Sequence, residues 1–217
     1  MALLTAADIA YLDEELASHE SRYLTGINAR EQSGFGRNEA DWRRYREIVL
    51  APVETDGTFL DIGCANGLLM ESVAAWSAER GIKLEPFGID ISARLATLAR
   101  QRLPHWRNRI FVGNALGWRP PRTFDYVRTE IVYAPPARRR DLVAHLLAHV
   151  VAPGGRLIVV SYGSSRPDGV RAETLVEELR GWDFPITRVD DTVSVAHGFI
   201  VTRAVTIAVN EGRPTGW

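Results

Sequence analysis

The sequence contains a single cysteine, Cys64, in its 217 residues, so no disulfide can form within the chain. One thiolate is also too few for a structural zinc site built from several cysteines, and we expect no bound metal. No apolar run approaches the roughly 20 residues that a membrane-spanning helix needs. Asp8 interrupts the first apolar residues before a signal peptide of ordinary length develops. These absences predict a cytoplasmic protein that has no membrane partner.

The sequence also lacks an excess of positive charge, since its formal net charge at pH 7 is −1. A protein that covers an extended stretch of nucleic acid usually carries a basic surface. A nucleic-acid partner is therefore disfavoured, although the composition does not exclude it. A small-molecule partner agrees with this net charge, whether the small molecule is neutral or charged. Composition leaves the oligomeric state open as well.

Residues 59–67, with the sequence FLDIGCANG, are the most informative segment of the chain. They combine an apolar strand with a turn framed by Gly63 and Gly67, where the backbone is free to adopt positive φ and to approach a ligand closely. The Gly-x-x-x-Gly spacing differs from the Gly-x-Gly-x-x-Gly fingerprint of dinucleotide sites. Asp61 would repel a phosphate but attract an ammonium or a sulfonium. S-adenosylmethionine carries both of these cations.

Two further apolar segments end in short polar residues. Residues 87–92 contain a second apolar strand that ends at Asp90. Asp90 lies about 20 residues after the first glycine turn, where an acid that binds ribose hydroxyls is expected. Residues 110–116 place Asn114 after a third strand, where its side chain can bind an adenine edge. Because the carboxyl ends of parallel strands meet at one edge of a sheet, these side chains should line one crevice.

In this order the motifs resemble those of the class I S-adenosylmethionine-dependent methyltransferases, over roughly residues 35–165. The resemblance implies that Asp61 lies near the methionine ammonium, that Asp90 holds the ribose and that Asn114 binds the adenine. Asn114 replaces the Asp that is usual in the family, and Ala65 stands where many members have Gly. The cofactor-binding residues implied in this way are Asp61, Gly63, Cys64, Asn66, Gly67, Asp90, Ile91, Asn114, Ala115 and Arg128.

The fourth family motif resembles residues 124–130 and the fifth strand follows Gly154 and Gly155. The resemblance implies that the backbone carbonyl of Arg128 faces the methionine ammonium and that Glu130 faces the substrate. Glu130 is the predicted general base, because it comes just after the fourth strand. Tyr133 is the second catalytic candidate.

Alternating strands and helices predict a Rossmann-like, doubly wound α/β sheet of seven strands, mostly parallel, with a terminal antiparallel hairpin. We expect an amino-terminal lid helix and loop over residues 1–35, one methyltransferase domain over 36–210 and a frayed tail over 211–217. Substrate contacts must come from segments that overhang the same edge of the sheet. The predicted substrate-binding residues are Arg30, Gln32, Phe35, Tyr162 and His197.

Together these features predict the transfer of a methyl group from S-adenosylmethionine to an oxygen or nitrogen of a small molecule by in-line displacement. Two alternatives stay open at this stage. The acceptor is an RNA, or the protein binds S-adenosylmethionine without catalysis. A nicotinamide-dependent dehydrogenase is disfavoured by the glycine spacing and by the predicted terminal hairpin.

Overall fold

The computed structural model describes residues 4–162, 171–194 and 198–211. Within these residues, seven strands form one sheet. In chain order the strands are β1 Gly57–Ile62, β2 Leu84–Asp90, β3 Ile110–Val112, β4 Phe124–Thr129, β5 Val151–Ser161, β6 Ile186–Val193 and β7 Ile200–Ala208. The α-helices are α1 Ala6–Leu24, α2 Glu39–Arg46, α3 Leu68–Glu79, α4 Ala93–Arg102, α5 Arg139–His149 and α6 Leu175–Gly181.

The strand order across the sheet is β3-β2-β1-β4-β5-β7-β6. The first five strands in this order are parallel to one another, and β7 is antiparallel to both β5 and β6. This arrangement confirms the predicted doubly wound sheet with a terminal antiparallel hairpin. The order reverses between β1 and β4, and ligands of such sheets bind outside the carboxyl ends of the strands at this point.

The central strands are buried on both faces, because helices cover each side of the sheet. Along β1, Phe59 packs into one hydrophobic cluster and its neighbour Leu60 packs into the other. Successive side chains of a strand point to opposite faces, so this alternation shows that both faces are core. Polar side chains can therefore gather only where the strands end.

Side-chain caps fix the starts of the two amino-terminal helices. The Thr5 hydroxyl accepts a hydrogen bond from the Asp8 amide and the Asp8 carboxylate accepts one from the Thr5 amide, which together cap α1. Asn38 caps α2 by accepting from the Asp41 amide. Of the described helices, none is both long and apolar enough to span a membrane.

Candidate active site

A cavity of about 390 Å³ opens at the carboxyl ends of the parallel strands. One long wall is formed by the ends of β1, β2, β4 and β5 and the turns that follow them. The opposite wall is one face of α1, and it contributes Tyr11, Leu12, Glu15, Leu16, His19, Glu20 and Tyr23. The site therefore lies between the sheet edge and the amino-terminal helix.

The turn after β1 needs glycine at position 63. Gly63 has a φ of 75°, and a Cβ built there would be 2.5 Å from the ring carbon Cζ of Tyr133. A side chain at this position would both strain the backbone and displace the ring. Ala65 has a φ of 46°, so the departure from the usual family glycine is accommodated in a left-handed conformation.

Asp90, at the end of β2, is held by two backbone amides. Its carboxylate accepts from the amides of Ala65 and Ser92, both at 2.8 Å. Burial raises the pKa of Asp90 and these two hydrogen bonds oppose that rise. A carboxylate has about four acceptor positions, so capacity remains for hydroxyl groups of a ligand in the cavity.

Asn114, in the turn after β3, also lines the cavity. Its Oδ1 accepts from the Leu116 amide at 3.0 Å. This bond fixes the orientation of the side-chain amide, and Oδ1 keeps one further lone pair. Asn114 thus combines a role in the turn with a free acceptor position at the cavity.

The buried guanidinium of Arg128 connects β4 to β1. It donates to Oδ1 of Asp61 at 3.2 Å and to the carbonyl oxygen of Ile62 at 3.1 Å. Burial is the largest influence on Asp61 and raises its pKa to about 6, although the charge of Arg128 opposes the rise. Among the described residues no donor reaches the second oxygen of Asp61, Oδ2, so this oxygen is left to accept from a bound ligand.

Glu130 belongs to the same charge network. Its Oε1 accepts from the Arg128 guanidinium and, at 2.9 Å, from the Tyr133 hydroxyl. Tyr133 in turn accepts from Arg128 at 3.0 Å. Within the described part of the chain, Oε2 of Glu130 has no donor, and about 20% of the side chain is exposed. Two carboxylates face one guanidinium here, which leaves a net negative charge to balance a ligand cation.

The structure brings most of the predicted site residues to this one cavity. Of the predicted cofactor-binding residues, those that line it are Asp61, Gly63, Cys64, Asp90, Ile91, Asn114, Ala115 and Arg128. The two catalytic candidates, Glu130 and Tyr133, also line it, as does Tyr162. Burial raises the pKa of the Cys64 thiol well above its usual value.

The remaining predicted residues lie elsewhere. Arg30 pairs with Glu39, Gln32 donates to the Gly26 carbonyl, and Phe35 is buried against aromatic side chains of α2. The loop that contains these three residues reaches the cavity through Ser33 and Gly34 instead. His197 and the tail from residue 212 lie outside the described residues.

Two predicted residues of the first turn support it from behind. Asn66 donates to the Ala29 carbonyl at 2.7 Å and accepts from the Leu68 amide, so it ties the amino-terminal loop to the turn. Gly67 has a φ of 77°, and a Cβ there would be 2.7 Å from Leu103. Neither residue is part of the cavity wall.

Sequence reasoning missed several residues of the wall. Ile9 of α1 is 48% exposed and does not line the cavity. The helix instead presents a mixed polar and aromatic face, which a search for apolar periodicity does not detect. Beyond α1, the residues that the sequence did not indicate include Arg46 of α2 and Arg139 of α5.

The comparisons with known proteins agree with this geometry. Residues 59–155 match the family model described as a methyltransferase domain. This match covers 97 of the 217 residues and supports the predicted resemblance to the class I S-adenosylmethionine-dependent methyltransferases. The match supports an enzyme that takes S-adenosylmethionine as its cofactor. No curated protein has a sequence that matches the chain.

Several solved structures share the fold of this protein. The 1,6-didemethyltoxoflavin-N1-methyltransferase of Burkholderia thailandensis is 18% identical, with 97% of this chain and 93% of that chain covered and a TM-score of 0.67. The N-methyltransferase NodS of Bradyrhizobium japonicum is 18% identical, with 89% and 97% covered and a TM-score of 0.66. A Haloferax volcanii complex of the Trm112 methyltransferase activator with a methyltransferase gives 14% identity, 94% and 99% coverage and a TM-score of 0.62.

Three observations show that the cavity fits S-adenosylmethionine. Asp90 keeps acceptor positions for ribose hydroxyls, Asn114 keeps one for an adenine edge, and Asp61 keeps Oδ2 for an ammonium. Gly63, in the turn after β1, lines the cavity as well. These groups lie at the ends of β1, β2 and β3, in the order that the resemblance implied.

Proposed function

We propose that this protein is a methyltransferase that methylates an oxygen or nitrogen of a small molecule bound beneath α1. The observation that supports this is the continuity of the cavity, which runs from Asp90 and Asn114 to Glu130 and Tyr162. The adenosine end is thereby connected to a region lined by groups that the cofactor does not need. The face of α1 closes the side of the cavity opposite the sheet, and the space between them suits a small acceptor.

S-adenosylmethionine supplies a methyl group on a sulfonium, which is electrophilic without further activation. The chain then has three tasks: to bind the cofactor, to orient the acceptor in line with the methyl–sulfur bond and to remove a proton where the acceptor carries one. Asp61, Asp90 and Asn114 serve the first task. The face of α1 and the loops after β4 and β5 serve the second.

Glu130 serves as the general base in this proposal. The Tyr133 hydroxyl and the Arg128 guanidinium hold its Oε1, and this leaves Oε2 directed to accept the proton. Arg128 fixes the orientation of the carboxylate through this charge-assisted contact. Tyr133 acts as a positioning residue, since its proton is already donated to Glu130.

Methyl transfer from radiolabelled S-adenosylmethionine to a panel of hydroxyl and amine compounds tests this function. Label in a small product supports it. Label recovered only in added RNA would favour the RNA alternative, which the net charge of −1 disfavours. Binding of S-adenosylhomocysteine without turnover on either class would favour the non-catalytic alternative. Tighter binding of a nicotinamide dinucleotide than of S-adenosylhomocysteine would contradict the cofactor assignment itself.

A further inference from the structure

The cavity wall at the end of β5 carries hydrogen-bond donors that lack acceptors. Arg46, in the last turn of α2, lines the cavity, and its guanidinium carbon lies 3.4 Å from the centroid of the Tyr162 ring. At this distance the guanidinium stacks on the ring, which fixes its plane while its N–H groups remain available at the edges. The rings of Phe35 and Trp42 lie 5.1 and 5.2 Å from the same guanidinium carbon.

Arg46 differs from the other arginines of its helix and of the cavity. Arg43 pairs with two carboxylates, and Arg128 pairs with Asp61 and Glu130. Within the described residues, no carboxylate or carbonyl oxygen accepts a hydrogen bond from Arg46. A half-buried guanidinium that is held in place by aromatic rings and has no counter-ion is arranged to receive an anion.

Two more hydrogen-bond donors at or near the Tyr162 ring have no acceptor. The Tyr162 hydroxyl is buried and has no hydrogen-bond partner in the described part of the chain, and the same is true of Nε of Arg128. The Arg128 guanidinium carbon lies 5.2 Å from the centroid of the Tyr162 ring. Buried polar atoms are paired in nearly all native proteins, so this group of three residues points to a ligand that supplies acceptor oxygens.

The position of this wall separates it from the adenosine end. The sheet order places β3 and β2 on one side of β1, and β4 and β5 on the other. Asn114 and Asp90 follow β3 and β2, whereas Tyr162 follows β5, two strands beyond β1. Adjacent strands are about 4.8 Å apart, so the Arg46 wall lies on the acceptor side of the cavity.

We propose that the methyl acceptor carries a carboxylate and that Arg46 binds this group with a two-pronged hydrogen bond, supported by the Tyr162 ring. This inference rests on the proposed function, because it names the substrate class of the same cavity. A guanidinium matches the planar geometry of a carboxylate, which makes Arg46 a residue that determines specificity.

Matched pairs of acids and amides test the proposal on the complex with S-adenosylhomocysteine. Calorimetry would compare benzoate with benzamide, 4-hydroxybenzoate with 4-hydroxybenzamide, and anthranilate with anthranilamide. We expect at least one acid to bind roughly 10- to 100-fold more tightly than its amide, as charge-assisted pairs do. Arg46→Gln should reduce this preference to less than about threefold, and Arg46→Lys should retain part of it.

Arg44→Gln is the matched control, because Arg44 lies on the same helix but is exposed and donates to the Val193 carbonyl. It should leave the preference for acids unchanged. Melting temperatures of all variants identify any that fail to fold. The proposal is overturned if no acid binds more tightly than its amide, or if Arg46→Gln leaves the preference intact.

The carboxylate could instead belong to the methionine portion of the cofactor. S-adenosylhomocysteine and 5′-methylthioadenosine distinguish these sources, since only the former carries the amino-acid portion. A tenfold loss for S-adenosylhomocysteine alone in Arg46→Gln would assign Arg46 to the cofactor and overturn the proposal. If the unaltered protein fails to bind S-adenosylhomocysteine, the proposed function fails, which is a different result from the loss of acid preference alone.

Discussion

Asp61 and Arg128 are directly opposite each other on the neighbouring parallel strands β1 and β4, and a hydrogen bond of 3.2 Å joins their side chains. Both side chains are almost completely buried. The pair therefore places a carboxylate with a raised pKa of about 6 at the position expected for the cofactor ammonium. A second cation bound at Oδ2 would favour the ionised form of Asp61.

This relationship predicts that cofactor affinity depends on pH. Asp61 must be ionised to attract the ammonium, and below pH 6 a proton has to be released first. Affinity for S-adenosylhomocysteine should therefore be constant above about pH 7 and fall by up to about tenfold for each pH unit below 6. Calorimetry between pH 5 and 8 measures this. The Asp61→Asn variant should bind S-adenosylhomocysteine more weakly at every pH, and its affinity should no longer fall below pH 6. If the affinity of this variant still falls in the same way, a group other than Asp61 causes the pH dependence.

A second prediction concerns Asp90. Asp90→Ala should weaken S-adenosylhomocysteine binding by about 1.5–3 kcal/mol, because hydrogen bonds to a charged acceptor are lost. Asp90 also accepts from the amides of Ala65 and Ser92, so the variant loses turn contacts as well. Asp90→Asn, which retains one acceptor oxygen, separates the two effects. Equal affinity in all three proteins would place the ribose elsewhere.

The third prediction concerns Asn114, where we expect a substitution to retain cofactor binding. Asn114→Asp should keep the affinity for S-adenosylhomocysteine within about tenfold, or about 1.4 kcal/mol, because the oxygen that accepts from Leu116 and from the adenine is retained. Isothermal titration measures this directly. Complete loss of binding in a protein that still melts cooperatively would contradict the adenine assignment.

The fourth prediction concerns the proposed base. Glu130→Gln should lower kcat by about 10²–10⁴-fold with cofactor affinity retained. Tyr133→Phe should have a smaller effect, because it removes one hydrogen bond to Oε1 and leaves the carboxylate in place. Measurement of kcat and KM with the acceptor found in the panel separates the two. Full turnover in Glu130→Gln would return Glu130 to a structural role.

The fifth prediction concerns backbone strain at Ala65, whose φ of 46° suits glycine better than alanine. Ala65→Gly should raise the free energy of unfolding by up to about 1 kcal/mol, because glycine adopts this conformation without a steric cost. Ala75→Gly, at an exposed position inside α3, should lower it by about 1 kcal/mol. Urea unfolding measures both. A loss of stability in both variants would show that the turn carries no such strain.

The sequence by itself determined the sheet and the cofactor edge. Asp61, Asp90 and Asn114 each follow an apolar strand, and the topology of a parallel sheet brings the ends of such strands together whatever their separation along the chain. The starts of α1 and α2 are also set locally, because the side chains of Thr5 and Asn38 cap their helices within one turn. These features depend on local residues and on rules of connection.

Only the tertiary structure decided how the side chains pair across the cavity. The resemblance implied a role for the backbone of Arg128, but strand register placed its guanidinium on Asp61 and Glu130. The packing of α2 against β5 brought Arg46 onto Tyr162, and the packing of α1 turned a mixed polar face rather than Ile9 toward the cavity. Such contacts depend on the rotation and spacing of elements distant in sequence, which the packing of the whole core fixes.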